Sequence, residues 1–240
     1  MNVPAILMTA LSAAAAALFI VRRVRVDDVF GAFLKALASL CFVALGLVCA
    51  ASSAHTAMAL LAVMAEVLCL VGDVFLSVDC ADAFAGADGC ARGAAPASKL
   101  WTYGGFVAFM LGHVCFTAFL LWGGAWALLP AAILIGVAGG IFIYLTPRIL
   151  GLRMGRLRLL ASCYSIVIFT ATSLAVLLAV FRGGAGRAIF AVGYALFLLS
   201  DIVLAAIMFT EGRDTPAYNA ANLVLYYAGQ NLIALSLLWA

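Results

Sequence analysis

Gly193-Tyr-Ala-Leu-Phe-Leu-Leu-Ser-Asp-Ile-Val-Leu-Ala205 is an apolar run with a single carboxylate, Asp201, set inside it. A carboxylate at membrane depth costs about 2.5–3.5 kcal/mol on insertion scales. A chain that keeps one has usually given it a partner or a task. A similar piece stands earlier, at Leu70-Val-Gly-Asp73-Val-Phe-Leu76. Leu198-Leu-Ser-Asp201-Ile-Val-Leu204 lies 128 positions further on, with its Asp in the same place. The chain reads as a bundle built to hold these two carboxylates near one another.

Composition agrees with a membrane setting. Of 240 residues, 68% are hydrophobic and only 10% charged. A soluble domain is nearer half apolar and a quarter charged. Eight runs are long and apolar enough to cross a bilayer as helices. They lie at about 3–21, 30–50, 57–78, 100–122, 125–145, 159–181, 188–209 and 219–239. The fold class is therefore all-α, a polytopic bundle of eight transmembrane helices forming one domain over residues 1–240. The net charge of +3 carries no indication of nucleic acid.

The charges fix an expected orientation. No positive charge precedes the first run, and Arg22, Arg23 and Arg25 follow it, so it reads as an anchor rather than a cleaved signal. The connections after runs 1, 3, 5 and 7 carry ten Lys/Arg, against two, Arg182 and Arg187, on the other side. The first set should be cytoplasmic by the positive-inside rule, with both termini outside. The host membrane would be the plasma membrane, or the inner membrane of a bacterium. The longest connection, 78–99, is Ala/Gly-rich and acidic and reads as a solvated linker whose Cys80 and Cys90 are reduced thiols. Cys41, Cys49, Cys69, Cys115 and Cys163 fall inside apolar runs and read as small buried hydrophobes.

Other echoes accompany the two Asp segments. Gly112-His113 and Gly229-Gln230 head similar run ends 117 apart, and Lys35 and Tyr164 are 129 apart. Runs 1–4 and 5–8 are readable as two parallel four-helix repeats, whose interface is where sites form in such proteins.

The buried polar groups share one depth. At 1.5 Å per residue, Lys35, Asp73 and Tyr164 lie about 8 Å from the expected cytoplasmic end of their runs. Tyr226 lies about 10 Å in, Asp201 about 12 Å, Gln230 about 16 Å and His113 about 15–20 Å. Scattered defects would not share a level; a pocket in the cytoplasmic half would. Asn219, Asn222, Tyr226 and Gln230 form one helical stripe, as do Glu66 and Asp73, and His113 and Thr117. These stripes should face the bundle interior, because lipid cannot satisfy them. Each member also has a plain alternative. Lys35 can serve only to neutralise an Asp, Glu66 to sit protonated on a backbone carbonyl, and His113 to be a satisfied interior group. Tyr226 and Tyr227 can be packing aromatics, and Ser200 can bond back to its own helix.

Several chemistries are excluded. Only His55 and His113 exist, and they fall at different levels, so no zinc-hydrolase ligand set forms. No G-x-S-x-G elbow and no phosphate-binding Gly loop is present. No metal and no cofactor is called for. Two carboxylates in unequal settings can serve as acid and base. Beside a cation and tyrosines, they suit addition of water to an activated double bond, or hydrolysis of an acetal-like bond. A small lipid or proton-coupled transporter is the alternative, although no run has the Gly/Pro interruptions of broken transport helices.

Gly72-Asp73, Gly112-His113, Ala195-Leu-Phe-Leu-Leu-Ser-Asp-Ile-Val-Leu-Ala205 and Tyr226-Tyr-Ala-Gly-Gln-Asn-Leu-Ile-Ala234 resemble the YhhN family of eight-helix membrane proteins. The resemblance covers essentially the whole chain. It departs at Ala36, where the family often has Pro, and at Gly112 and Gly229, where it tends to have Ala. Phe116 stands where an aromatic hydroxyl often sits. The family's characterised activity is lysoplasmalogenase. The resemblance therefore implies a lysophospholipid substrate met in the bilayer, cleaved at its vinyl ether to a fatty aldehyde and a glycerophospho-ethanolamine or -choline. Asp73 and Asp201 would be the acid and the stabilising carboxylate, and one carboxylate or His113 would activate water. Lys35, Glu66, Tyr164, Ser200, Asn222, Tyr226, Tyr227 and Gln230 would bind substrate or tune charge. The chain of the lipid would lie among Phe106, Phe109, Met110 and Phe197. The oligomeric state is left open.

Overall fold

The computed structural model describes residues 3–25, 29–85, 96–147 and 149–240. Eight helices among them are long and apolar enough to cross a membrane. They are α1 (Val3–Arg25), α2 (Val29–Ala51), α3 (Thr56–Ala85), α4 (Pro96–Trp122), α5 (Leu129–Leu145), α6 (Arg158–Arg182), α7 (Ala185–Phe209) and α8 (Pro216–Ser236). No strand occurs among the described residues.

Helix ends depart from the hydropathic runs where capping chemistry overrides polarity. The third helix continues to Ala85, past the expected end at 78, because Ala-rich sequence runs unbroken to Gly86. Apolar character marks where lipid would end; Gly and Pro mark where a helix ends. The fourth helix starts at Pro96 and the eighth at Pro216, a residue suited to the first helical position. Thr215 caps α8 by accepting a hydrogen bond from the Tyr218 backbone N–H at 3.3 Å. The expectations for Cys80, Cys90 and the acids Asp79, Asp82 and Asp88 fall outside the described residues and side chains.

Helix packing repeats on adding four to each number. The pairs α1–α2, α2–α3 and α3–α4 match α5–α6, α6–α7 and α7–α8. The two halves join through α2–α8 and α4–α6, which the same rule interchanges. The pattern is not exact: α1 lies along α8, whereas at the corresponding place α4 meets the short 3-10 turn Ala125–Leu128 that precedes α5.

The tightest crossing joins α7 to α8. A Cβ at Gly193 would stand 2.8 Å from the Gly229 carbonyl oxygen, and one at Gly229 would stand 2.7 Å from that of Gly193. Small residues of this kind let helix backbones meet where apolar burial gives little drive. Eight residues past Gly193 stands Asp201, and three before Gly229 stands Tyr226, so the crossing sets these two side chains in relation. The interior is aromatic, with Phe42, Phe116, Phe197, Tyr194 and Tyr227 essentially fully buried. Large apolar side chains such as Leu18, Leu134, Val180 and Val192 cover the outside, as a lipid-facing surface requires.

Candidate functional site

A cavity of about 170 Å³ opens between the halves, and every helix except α1 contributes to its wall. Lys35 comes from α2, Asp73 from α3, Tyr164 from α6, Ser200 and Asp201 from α7, and Asn222 and Tyr226 from α8. The rest of the lining is mostly apolar, including Phe106, Phe109, Ile168, Met208 and Phe209. Such a wall, with a few convergent polar groups, is how sites for apolar ligands are built.

Asp73 is 3% exposed and holds three donors. Ser39 donates to Oδ2 at 2.6 Å, and the Tyr226 hydroxyl donates to the same oxygen at 2.7 Å. The Lys35 ammonium lies 3.2 Å from Oδ1. Lys35 and Ser39 are one turn apart on α2, so one helix face supplies a cation and a hydroxyl together. Tyr227, on the next face of α8, lies 3.3 Å from the Ser39 hydroxyl and donates to the Lys35 carbonyl at 3.4 Å. Gln230 sits one turn behind Tyr226 and donates to its hydroxyl at 3.4 Å.

Asp201 is served differently. Its Oδ2 accepts from the Tyr164 hydroxyl at 2.5 Å, and no other hydrogen bond reaches it among the described residues. That hydroxyl is in turn 3.0 Å from His113 Nε2, and His113 Nδ1 is 2.7 Å from the Tyr194 hydroxyl. Phe197 packs on the imidazole with ring centres 4.9 Å apart.

The structure thus gathers Lys35, Asp73, Tyr164, Ser200, Asp201, Asn222 and Tyr226 on one cavity. Four expected site residues stand off it. His113 lies behind Tyr164, Tyr227 faces α2, and Gln230 backs Tyr226. Glu66 shares a face with Asp73, but two helical turns separate them by about 10 Å along the axis. Its carboxyl packs on Gly46 of α2, where Oε2 leaves no room for a Cβ, and neither oxygen has a hydrogen-bond partner among the described residues. Ser200 lines the cavity but donates to the Phe197 carbonyl of its own helix. Asn219 bonds Asp214 and the Thr215 carbonyl at the start of α8, and Thr117 bonds the His113 carbonyl. Phe106 and Phe109 line the cavity, whereas Met110 and Phe197 do not. His55 belongs to a separate cavity of about 1220 Å³, with Trp122, Arg187 and Trp239.

Two partners were not anticipated, Ser39 and Tyr194. Both carried a readable signal: Ser39 is four residues after Lys35, and Tyr194 seven before Asp201, each on the face of a residue already singled out.

The arrangement can hold one carboxylate in a nest of donors and present a second, sparsely bonded one to an apolar ligand. The model of the YhhN family matches residues 30–237. No curated protein and no solved structure matches the chain.

Proposed function

The chain belongs to the YhhN family, and from that premise we propose that it is an intramembrane hydrolase cleaving the vinyl ether of lysoplasmalogens. The observation that carries the reading is the pair of carboxylates on one largely apolar cavity, bonded so unequally.

Vinyl ethers hydrolyse through rate-limiting protonation of carbon, followed by capture of an oxocarbenium ion by water. Asp201, with one donor and a free oxygen, is the group suited to carry the proton. It gives that proton to the carbon remote from the ether oxygen, and the positive charge appears on the C–O unit. Asp73, held by Lys35, Ser39 and Tyr226, is suited to remain an anion facing that charge. Fixed charges aimed at charge that develops in the transition state are the main source of such catalysis. Water then adds to the cation and returns its proton to the Asp201 carboxylate. The hemiacetal loses its glycerol oxygen as an alcohol: the Asp201 acid supplies a proton to that oxygen, and the Asp201 carboxylate so formed takes one back from the new hydroxyl, with Asp73 an anion throughout. The products are a fatty aldehyde and a glycerophospho-alcohol, and both acids return to their starting states.

Lys35 and Asn222 stand where polar oxygens of the lipid would lie, and Phe106 and Phe109 where its chain would lie. The distribution of Lys and Arg supports both termini outside and the cavity in the cytoplasmic half.

The test uses purified full-length protein in detergent with lysoplasmenyl-ethanolamine and, in parallel, its saturated alkyl-ether analogue. Fatty aldehyde should appear from the alkenyl lipid alone, since only the alkene can be protonated at carbon. Well-folded protein that releases no aldehyde would sink the reading and favour a carrier, which has no chemistry to show in detergent.

A further inference from the structure

His113 is fully buried and meets a phenol at each ring nitrogen, Tyr194 at Nδ1 and Tyr164 at Nε2. Tyr164 also reaches Asp201 Oδ2. A neutral imidazole has one N–H and one bare nitrogen. The four groups can therefore be wired in one of two directions.

In the first, Tyr194 donates to Nδ1, Nε2–H donates to the Tyr164 oxygen, and Tyr164 donates to Asp201 Oδ2. In the second, a proton on Oδ2 is donated to the Tyr164 oxygen, Tyr164 donates to Nε2, and Nδ1–H is donated to Tyr194. The second direction leaves the Tyr194 hydroxyl proton without an acceptor. Tyr194 is fully buried, and its hydroxyl has no hydrogen-bond partner besides His113 among the described residues. Its ring is packed by those of Phe116 and Phe190, with centres 5.4 Å away in each case, and of Phe197 at 6.2 Å. A buried donor left unmade forfeits its hydration with nothing in return. In the first direction every proton of the chain finds an acceptor.

We propose that Tyr194, His113 and Tyr164 form a one-way hydrogen-bond chain that keeps Asp201 Oδ2 an acceptor and confines the transferable proton of Asp201 to Oδ1. His113 and Tyr194 are positioning residues that act through Tyr164 and touch no substrate. The consequence for catalysis rests on the hydrolase reading, while the direction of the chain does not. As an acid, Asp201 carries its proton on Oδ1 and accepts at Oδ2 through its carbonyl lone pair. As a carboxylate it accepts at Oδ2 in the same way. The two states differ by one proton on one oxygen. Oδ1–H goes to the alkene carbon and is regained from the attacking water. No proton enters the chain, so nothing in it has to move between steps.

The experiment is solid-state nitrogen NMR on full-length protein in lipid bilayers, labelled with nitrogen-15 at histidine. The chain holds two histidines, and the His55→Gln variant assigns the remaining signal to His113. The expected spectrum has a protonated Nε2 and a bare Nδ1. Protonated Nδ1 with bare Nε2, or two protonated nitrogens, overturns the proposal. No substrate enters this measurement, so it stands or falls separately from the vinyl-ether reading.

Tyr194→Phe supplies the second arm. Without the hydroxyl, bare Nδ1 lacks a donor and Nδ1–H lacks an acceptor, so the preference between the two directions narrows and the Nδ1–H form should appear beside the Nε2–H form in the spectrum. Turnover should fall about tenfold in kcat with KM within about twofold, the pattern of lost alignment rather than lost binding. His113→Gln, which keeps an N–H in reach of Tyr164, should retain more kcat than His113→Leu. An unchanged tautomer and unchanged kcat in Tyr194→Phe, or equal activity of the two His113 variants, counts against the chain.

Discussion

Asp73 and Asp201 occupy matching places in α3 and α7, two helices that the packing pattern interchanges. Around Asp73 the bundle gathers an ammonium and two hydroxyls from α2 and α8. Around Asp201 it sets one hydroxyl from α6, backed by an imidazole and a second phenol. Lys35 and Tyr164 stand in like positions of α2 and α6, so the same scaffold slot holds a cation on one side and a phenol on the other. The difference teaches that likeness of backbone did not carry likeness of chemistry. The first nest surrounds its carboxylate with an ammonium and two hydroxyls; the second gives its carboxylate one phenol.

If the two roles differ in this way, the largest effects come from removing the carboxyls. Asp201→Asn keeps the shape and loses the transferable proton, so kcat for aldehyde release should fall about 10²–10⁴-fold, the range for a general acid. Asp73→Asn loses the fixed anion and should fall comparably, yet it also leaves Lys35 buried without its counter-charge. Thermal unfolding in detergent should therefore separate the two, with Asp73→Asn melting lower than Asp201→Asn. Equal melting with equal loss of rate would erase the distinction between the nests.

The ion pair gives the next effect. Lys35→Met leaves Asp73 with hydroxyl donors only. Removing one partner of a buried pair typically costs about 3–5 kcal/mol, and the residual 16% exposure of the Lys35 side chain puts this case at or below the low end. The Lys35→Met/Asp73→Asn double variant removes both charges and should recover most of the lost stability. A double variant that melts as low as the sum of the singles would show that the pair is not coupled.

How much of this the sequence discloses depends on the kind of information needed. The eight spans were legible because lipid demands about 20 apolar residues in a row, and hydropathy reads that directly. Both carboxylates and Lys35 were legible because a charge inside such a run stands out. Ser39 was not, since serine is an ordinary helix residue in membranes and only its spacing from Lys35 marks it. Tyr194 was hidden among aromatic neighbours for the same reason. Glu66 shares a face with Asp73, but helical spacing reports a face and not a level, and its two turns from Asp73 carry it onto Gly46. His113 was legible as a polar group inside an apolar run, but its place behind Tyr164 depends on how α4 meets α6, which no periodicity encodes. The apolar spans of α3 and α4 were legible, whereas the helical turns beyond them were not, because polarity and helix propensity part company in Ala-rich sequence.

The α7–α8 crossing ties the two nests together, since it sets Asp201 on one helix against Tyr226, a donor to Asp73, on the other. Gly229→Ala would press a methyl to 2.7 Å from the Gly193 carbonyl oxygen and 3.0 Å from the Phe197 backbone nitrogen. Overpacking of this kind costs about 1–3 kcal/mol. The unfolding temperature should drop, and kcat should drop with it, because the helices must separate to accept the methyl. A variant with wild-type melting and wild-type rate would mean that the crossing has slack and does not fix the spacing between the nests.

The smallest effects test whether the serines follow the same division. Ser39 and Ser200 lie near their respective carboxylates, but only Ser39 bonds one. Its hydroxyl is 2.6 Å from Asp73 Oδ2, whereas Ser200 donates to the Phe197 carbonyl in its own helix. Hydrogen bonds to charged groups contribute about 1.5–3 kcal/mol. Asp73 keeps Lys35 and Tyr226 when Ser39 is cut back, so the loss in Ser39→Ala should stay near the lower figure, about a tenfold fall in kcat. Ser200→Ala exchanges an intrahelical bond for a methyl and should leave both rate and melting within error of wild type. Initial rates of aldehyde release for the two variants, measured side by side, check this. If Ser200→Ala proves the more damaging, Ser200 serves Asp201 or the lipid directly, and the second nest is richer than a single phenol.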